Sequence, residues 1–467
     1  MSSQVTLRIE DPTLHDALQE IAHKTQAAGG RTLAVGGAVR DAFFGLPIRD
    51  LDLEVFGLAP DRLRGLLDET FDLDLVGQSF GVLKIRRLPI DVSVPRRESK
   101  RGLGHRGFEV HSDPSLSLDE ASRRRDFTIN SMAWDPLTEE VLDPWGGLDD
   151  LEGRRLRHVS DQFSEDPLRV LRAMQFAARF ELAVAPETIQ LCRSIEPEGL
   201  PPERLFEEWR KLMVSGQKIS IGLQFLRDCG WIRYYPELEA LIDCPQEPEW
   251  HPEGDVFVHT QHVMDAFANE RLDDPWEDLV VGFACLCHDL GKPSTTTFEE
   301  GRIRSKGHEE EGETPTRDFL GRLTEHQRLV EAVVPLVREH LKPIQLYKSE
   351  ASRAAVRRLA RRVGRIDRLI RVCRADHAGR PPLPFDGFPA GDWLLSQARE
   401  LDLEQKAPKP LVQGRHLIEL GLDPGPHFKP LLDRCFEAQL DGQFEDLPGG
   451  WVFARQVVAE YLADPES

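Results

Sequence analysis

The rhythm of apolar positions changes about a third of the way along the chain. Up to about residue 148, short runs with strand character alternate with Gly turns: RTLAVGG at 31–37, LDLEVFG at 51–57, FGVLKIRRL at 80–88 and PIDVSVP at 89–95. Each is an apolar or alternating segment of the kind that fits a half-buried strand. Helical patterns lie between them, in AVRDAFFGL at 38–46 and APDRLRGLLDETF at 59–71. From about Asp149 the apolar residues recur at spacings of three and four, as in PLRVLRAMQFAARFEL at 167–182 and ERLFEEWRKLM at 203–213, and the rest is expected to be helical. Pro- and acid-rich joints interrupt the helices at 196–203, 244–255 and 379–392. The pattern predicts an α+β protein with a helical lead-in at 1–30, a mixed α/β head at 31–148, a helical neck at 149–245, a further helical domain at 246–380 and a helical tail at 381–467.

Length and composition agree with this division. At ~100–200 residues per domain, 467 residues make several domains. A 40% hydrophobic and 30% charged composition is enough for ordinary cores. Charge narrows the function. With 59 Lys+Arg against 80 Asp+Glu, the formal charge of -21 argues against a sequence-blind nucleic-acid coat or an anionic-membrane binder. It leaves room for local basic tracks. The longest is ASRAAVRRLARRVGRIDRLIRVCRAD, where Arg353, Arg357, Arg361 and Arg365 are spaced four apart and predict one basic stripe. No apolar run approaches the ~18–20 residues that span a bilayer, and the N-terminal residues show no apolar signal core. Seven scattered cysteines with no CxxC pair fit reduced thiols in a cytoplasmic protein.

The first chemical cluster is Gly36-Gly37-Ala38-Val39-Arg40-Asp41, directly after the strand-like TLAV. Glycines let backbone N–H groups approach a phosphate, a helix start adds partial positive charge, and Arg40 offers a guanidinium fork. A Gly pair alone is most often a plain turn. Downstream, Asp50 and Asp52 stand at i and i+2 on a strand-like run, so both carboxylates are expected on one face. Such paired carboxylates hold the Mg²⁺ ions of phosphoryl-transfer sites, although a strand end can also carry two surface aspartates. Asp91, on a later strand-like run, offers a third carboxylate. Then come the basic run Arg123-Arg124-Arg125 and the segment opening at Glu165-Asp166, where Asp166, Arg169 and Arg172 recur at i, i+3 and i+6. An Asp acceptor beside an Arg donor can read a base edge; the same spacing also makes an intrahelical ion pair.

In order, VGGAVRD, DLD, RRDFTIN, DPWGGLDDLEGRRLRHV and EDPLRVLRAMQFAARF resemble the successive motifs of the class II tRNA nucleotidyltransferases, the bacterial CCA-adding and poly(A) polymerase group. The resemblance covers about the first half of the chain. It implies a polymerase-β-like head and a helical neck, with tRNA, CTP and ATP as partners. It implies Asp50 and Asp52 as Mg²⁺ ligands, Gly37 and Arg40 on the triphosphate, and Arg125 on the nucleotide. Asp166 and Arg169 would be the protein template for the incoming base, with Arg172 alongside. Family members often carry a further Arg where this chain has Gln175. The long stretch between Asp91 and Arg123 favours full CCA addition over CC addition. Poly(A) or A-only addition by the same head, and a metal phosphohydrolase or RNA-binding protein with an inert head, are the alternatives.

A second constellation begins at Asp255: DVFVHTQHVMDAF, LVVGFACLCHDLGKP, KGHEEEG, REHLKP and RVCRADHAGR. His and Asp suit a divalent metal. A lone His on an apolar helix is usually a core residue, but a His288-Asp289 doublet followed by Gly291-Lys292, with further His and Asp on later helices, points to a metal. His259 and His262, at i and i+3, both offer a first ligand. The pattern resembles the HD phosphohydrolase domain, which implies His259, His288, Asp289 and Asp376 as metal ligands and His308 and His340 as auxiliary positions. Ni²⁺, Mg²⁺ and Mn²⁺ are all compatible, and the implied substrate is a phosphoester at an RNA end.

Overall fold

The computed structural model describes residues 7–74, 82–100 and 108–463. The chain forms two compact units, one running to Leu212 with Gly216–Trp231 added, the other Met213–Ser215 with Ile232 onward. The expected neck at 149–245 straddles this division. Part of the stretch used to favour CCA over CC addition, residues 101–107, lies outside the described residues.

The first unit is built on a seven-stranded sheet. In chain order its strands are β1 (Arg31–Val35), β2 (Leu51–Phe56), β3 (Leu73–Asp74), β4 (Val82–Ile85) and β5 (Ile90–Ser93), and beyond a separate hairpin of β6 (Arg96–Lys100) and β7 (Phe108–Ser112) come β8 (Ala133–Trp134) and β9 (Val141–Leu142). Their order in space is β3-β4-β5-β2-β1-β8-β9. Alternation on β2 sends Leu51, Leu53 and Val55 into the main core, where they meet Leu18 and Ile21 of the helix Pro12–Ala27. The opposite face of the same strand carries Asp52 and Glu54. β2 pairs in parallel with β5, so that Asp52 lies opposite Asp91 and Glu54 opposite Ser93. Two carboxylates that are 39 positions apart in sequence thus become neighbours through register alone.

Beyond the sheet the helix Leu168–Phe180 buries nearly every apolar side chain, including Val170, Leu171, Met174 and Phe176. It leaves Arg169 and Arg172 on the side facing the head's RRDFTIN segment.

In the second unit the helix Pro275–Cys287 is buried from Glu277 onward and apolar on every side from Leu279 to Cys287, as a central core helix should be. Asp274 caps it and His288 closes it, so the His-Asp doublet sits where the helix ends. The expectation of unbroken helix after Asp149 needs correcting. Arg155–Leu156 pairs in parallel with Ala183–Val184, and Thr296–Glu299 forms a hairpin with Arg302–Ser305. The hairpin turn, Glu300-Gly301, has positive φ at both positions (54° and 77°), the geometry that matches strand twist in a two-residue connection. A separate small core, including Leu417, Leu431, Ala454 and Val457, holds the C-terminal helices together. No helix among the described residues is long and apolar enough to cross a membrane. All seven cysteines are buried and unpaired.

Candidate active sites

The head site is assembled at one end of β2. Asp50 precedes the strand rather than lying on it. Asp52 and Asp91 face each other across the β2–β5 ladder. Asp52 is solvent-exposed, yet desolvation by the surrounding protein raises its carboxyl above its ordinary value; Arg125 opposes this, while Asp50 and Asp91 push it further up. Lys84 Nζ lies 2.8 Å from Asp91 Oδ2 and supplies part of the compensating charge. Three acids with one lysine and one arginine leave the site short of positive charge, which suits a divalent ion.

Gly36 closes this site from the other side. Its φ of 75° lies in the left-handed region, and a Cβ there would stand 3.1 Å from Arg125 Nη1 and 3.8 Å from Asp52 Oδ2. A side chain there would be strained by the backbone conformation and would crowd the Arg125 guanidinium. Gly37 begins the next helix, with its Cβ direction 3.6 Å from Arg40 Nη2.

Arg40 is placed differently from the exposed fork that its motif suggested. It is only 5% exposed. Nε and Nη2 both donate to Asp41 Oδ1 (2.8 and 2.6 Å), Nη1 donates to Asn130 Oδ1 at 2.7 Å, and the guanidinium lies over Phe176 and Phe180. Burial lowers its affinity for its proton. The network continues: Asn130 Nδ2 donates to Asp126 Oδ1 at 2.9 Å, and Arg172 Nε donates to Asp126 Oδ2 at 2.7 Å. Arg40, Asn130, Asp126 and Arg172 thus tie the glycine turn to the neck helix.

The three expected base-selecting residues are all held by the protein. Asp166 Oδ2 accepts from Arg204 Nη2 at 2.9 Å. Arg169 donates to the carbonyls of Gln162 (2.7 Å) and Arg124 (2.6 Å). Gln175 is buried, and its Oε1 has no hydrogen-bond partner.

The second site gathers every expected ligand. His259 Nε2 lies 3.2 Å from Asp376 Oδ1 and 3.4 Å from His288 Nε2. His308 Nε2 lies 3.2 Å from His340 Nε2. Asp289 stands between the pairs, with Oδ2 3.1 Å from His288 Nε2 and Oδ1 3.4 Å from His308 Nε2. His262 lines a different cavity, with Asp265 and Phe385, so His259 alone serves as the first residue of the cluster.

The tautomers follow from the outer contacts. His288, His308 and His340 each place Nδ1 2.6–2.7 Å from the carbonyl three residues earlier, those of Cys285, Ser305 and Val337. A carbonyl only accepts, so each Nδ1 carries the proton and each Nε2 presents a lone pair inward. Lone pairs facing one another at such distances, with the buried Asp289 and the partly buried Asp376 carboxylates among them, call for a cation, and this donor set fits a divalent metal. The charges respond accordingly. Burial and repulsion from His308 and His288 push His340 down to about 3. Burial alone would lower His259 as well, but hydrogen bonds to Asp376 and Glu253 carry it up to about 9. Asp289 is held well below the usual carboxylate range: burial opposes this, but His288 and Lys292 outweigh it. Gly291 permits the crowding, since a Cβ there would lie 2.1 Å from the His308 carbonyl oxygen.

Residues 32–157 match the poly A polymerase head domain family, and residues 256–377 match the HD domain family. A multifunctional CCA protein of Stenotrophomonas maltophilia (strain R551-3) is 41% identical over 393 residues, covering 79% of this chain and 93% of the relative. The chain belongs to the multifunctional CCA protein family. Another member, from Xanthomonas campestris pv. campestris (strain B100), is 41% identical over 374 residues, covering 77% of this chain and 88% of its own length. The fold is that of the Bacillus stearothermophilus CCA-adding enzyme in complex with CTP, with a TM-score of 0.65 at 23% identity, over 97% of this chain and 100% of that one. The Thermotoga maritima CCA-adding enzyme complexed with tRNA has a TM-score of 0.58 at 18% identity, over 98% of each chain. Family membership makes the chain a nucleotidyltransferase with an α+β head and an HD domain.

Several residues at these sites carry no motif of their own in the sequence. Arg204 reaches Asp166 from a helix 38 positions away. Glu54 is buried, with Arg124 and Arg125 3.9 and 3.8 Å away. Lys292, by contrast, belongs to the motif read in the sequence, and its Nζ contacts Asp289 Oδ2 at 2.8 Å. The basic stripe is corrected by the structure. Arg353 pairs with Glu400, Arg357 with Glu445, Arg361 with Glu437 and Arg365 with Glu277 and Asp367. The helix Arg353–Val363 ends at Gly364 and Arg365 stands at the start of the next, so the four arginines do not share one helix; most are partnered by acids distant in sequence, which spacing alone cannot reveal.

Proposed function

We propose that this chain completes the 3′ end of tRNA with CCA, using CTP and ATP and no nucleic-acid template. The juxtaposition of Asp52 and Asp91 beside Gly36 and Arg125 carries this reading. The terminal ribose hydroxyl of the tRNA attacks the α-phosphorus in line. A new P–O bond forms, the bond to the bridging oxygen breaks, and pyrophosphate leaves. Asp50, Asp52 and Asp91 would hold Mg²⁺, which when bound stabilises charge on the attacking and leaving oxygens. Arg125 steadies the nucleotide, and the backbone of the Gly36-Gly37 turn receives the phosphates. Asp166 accepts from, and Arg169 donates to, the edge of the base, with Arg172 locked to Asp126 behind them. Arg40 acts on the triphosphate chiefly by fixing the glycine turn. The test is to incubate tRNA lacking CCA with CTP alone, ATP alone and both. Addition that stops at three nucleotides with both supports the reading; continued A addition identifies a poly(A) polymerase.

The HD site is proposed to hydrolyse phosphoesters at RNA ends, such as a 2′,3′-cyclic phosphate. Two imidazoles with two carboxylates are compatible with Ni²⁺, Mg²⁺ or Mn²⁺. When bound, the ion supplies Lewis-acid activation of water and of the phosphoryl group. His259, His288, Asp289 and Asp376 would hold it, with His308 and His340 on the other side of Asp289. Release of phosphate from a 2′-phosphate-ended RNA, or opening of the cyclic ester, should require metal and should be lost in His288→Ala.

A further inference from the structure

Among the four imidazoles of the HD cluster, His259 is set apart by what holds its outer nitrogen. His288, His308 and His340 give Nδ1 to a neutral backbone carbonyl of their own turn. His259 Nδ1 lies 3.1 Å from the Gly379 carbonyl and closer, at 2.8 Å, to Glu253 Oε1. The same oxygen lies 2.9 Å from His251 Nδ1. The Glu253 side chain is fully buried, and its Oε2 has no hydrogen-bond partner. A buried carboxylate with one bare oxygen is costly. A backbone carbonyl would satisfy His259 as one does for the other three, so the extra charge has a purpose beyond filling a hydrogen bond.

The segment that presents Glu253 is fixed at both ends. His251 N–H donates to the Glu247 carbonyl at 2.9 Å, and Val256 N–H to the Cys244 carbonyl at 3.0 Å. Asp255 caps the following helix through Val258 N–H at 2.8 Å, and its other oxygen takes Asp243 N–H at 2.8 Å. Gln246 bridges the turn, accepting from Lys292 Nζ at 2.7 Å and donating to the Gly254 carbonyl at 3.3 Å. Lys292 in turn contacts Asp289. The turn at 246–255 is therefore built into the cluster.

We propose that Glu253 is a positioning residue of the HD metal centre, fixing the His259 ring with Nε2 aimed inward, raising its donor strength, and holding His251 at the edge of the same centre. This rests on reading the HD cluster as a metal centre. A carboxylate behind a metal-bound imidazole orients the ring and increases its basicity, and its loss weakens metal binding by about 10–100-fold.

The test is calorimetric titration of the chelator-stripped full chain with Ni²⁺, on wild type, Glu253→Gln, Glu253→Asp and His288→Ala. Glu253→Gln keeps the shape and removes the charge; its Kd for Ni²⁺ should rise about 10–100-fold. Glu253→Asp keeps the charge but withdraws it by one methylene, and should fall between Gln and wild type. CMP incorporation by the head should be unchanged in both, and circular dichroism with a thermal melt of each variant checks that the unit carrying the HD cluster is folded. A Glu253→Gln affinity within twofold of wild type, with His288→Ala losing Ni²⁺, overturns the role of Glu253 and leaves the metal centre standing. Wild type that binds no Ni²⁺, or His288→Ala that binds it fully, overturns the metal centre itself. Equal losses in Gln and Asp with unchanged incorporation would assign the effect to reach as well as charge and still support positioning.

Discussion

His259 Nε2 and Asp376 Oδ1 stand 3.2 Å apart although 117 positions separate them in the chain. Without metal, this imidazole sits between two carboxylates and binds a proton up to about pH 9, against an ordinary 6.5. Metal must displace that proton. Ni²⁺ binding should release a proton and tighten as pH rises, levelling off above about 9; calorimetry in buffers of different ionisation enthalpy counts the protons. Because the folded value is raised, the pair's contribution to metal-free stability is complete below about 6.5 and is lost as pH climbs through about 9. Thermal melts of the chelated protein should fall across that window, and more steeply than melts of Asp376→Asn.

Asp52→Ala should reduce incorporation of both CMP and AMP by about 10³-fold, because removal of a key charge-stabilising group typically costs 10²–10³. Single-turnover incorporation on tRNA lacking CCA measures this. An equal loss with both nucleotides places the residue at the shared chemistry; a loss confined to one would assign it to base selection.

Arg204→Ala frees the Asp166 carboxylate from a charge-assisted contact of 2.9 Å. Such bonds are worth about 1.5–3 kcal/mol, so preference for CTP and ATP over UTP should narrow about tenfold or more. Competition between nucleotides on one tRNA substrate gives the ratio, and Arg204→Lys should recover part of it.

Arg40→Met should lower stability by about 3–5 kcal/mol, because it leaves Asp41 and Asn130 facing a vacated, buried site. A melt that is unchanged while the KM for nucleotide rises would instead make Arg40 a direct phosphate ligand.

Arg357→Gln with Arg361→Gln should leave tRNA affinity within about twofold, since both arginines are occupied by Glu445 and Glu437. The expected cost is stability, about 0.2–1 kcal/mol for the exposed Arg361 pair and more for the largely buried Arg357. A marked loss of tRNA binding in a filter assay, with unchanged melting, would restore the basic stripe as an RNA track.

What was legible in the sequence follows from the range of the interactions. The strand–Gly-Gly–helix turn, the Asp50/Asp52 pair and the His288-Asp289 doublet at a helix end are local, so spacing and composition exposed them. The opposition of Asp52 and Asp91 depends on the parallel pairing of β2 with β5, which no local pattern encodes. Arg204, Glu253 and the acids that partner the Arg353–Arg365 stripe are single charged residues in unremarkable contexts, and become informative only once a distant partner is beside them. Arg40 was read by its chemistry, but its burial against Phe176 and Phe180 depends on a helix more than a hundred positions later. The hairpin at 296–305 was hidden within a helical stretch because its two strands are only four residues each.

The most direct measurement assays both reactions on Asp52→Ala and His288→Ala: CCA completion of trimmed tRNA, and metal-dependent hydrolysis of a 2′,3′-cyclic phosphate RNA end. The expected result is a clean exchange, in which Asp52→Ala loses completion and retains hydrolysis while His288→Ala does the reverse. Loss of both activities in either folded variant, or completion that survives Asp52→Ala, would contradict the assignment of one chemistry to each site.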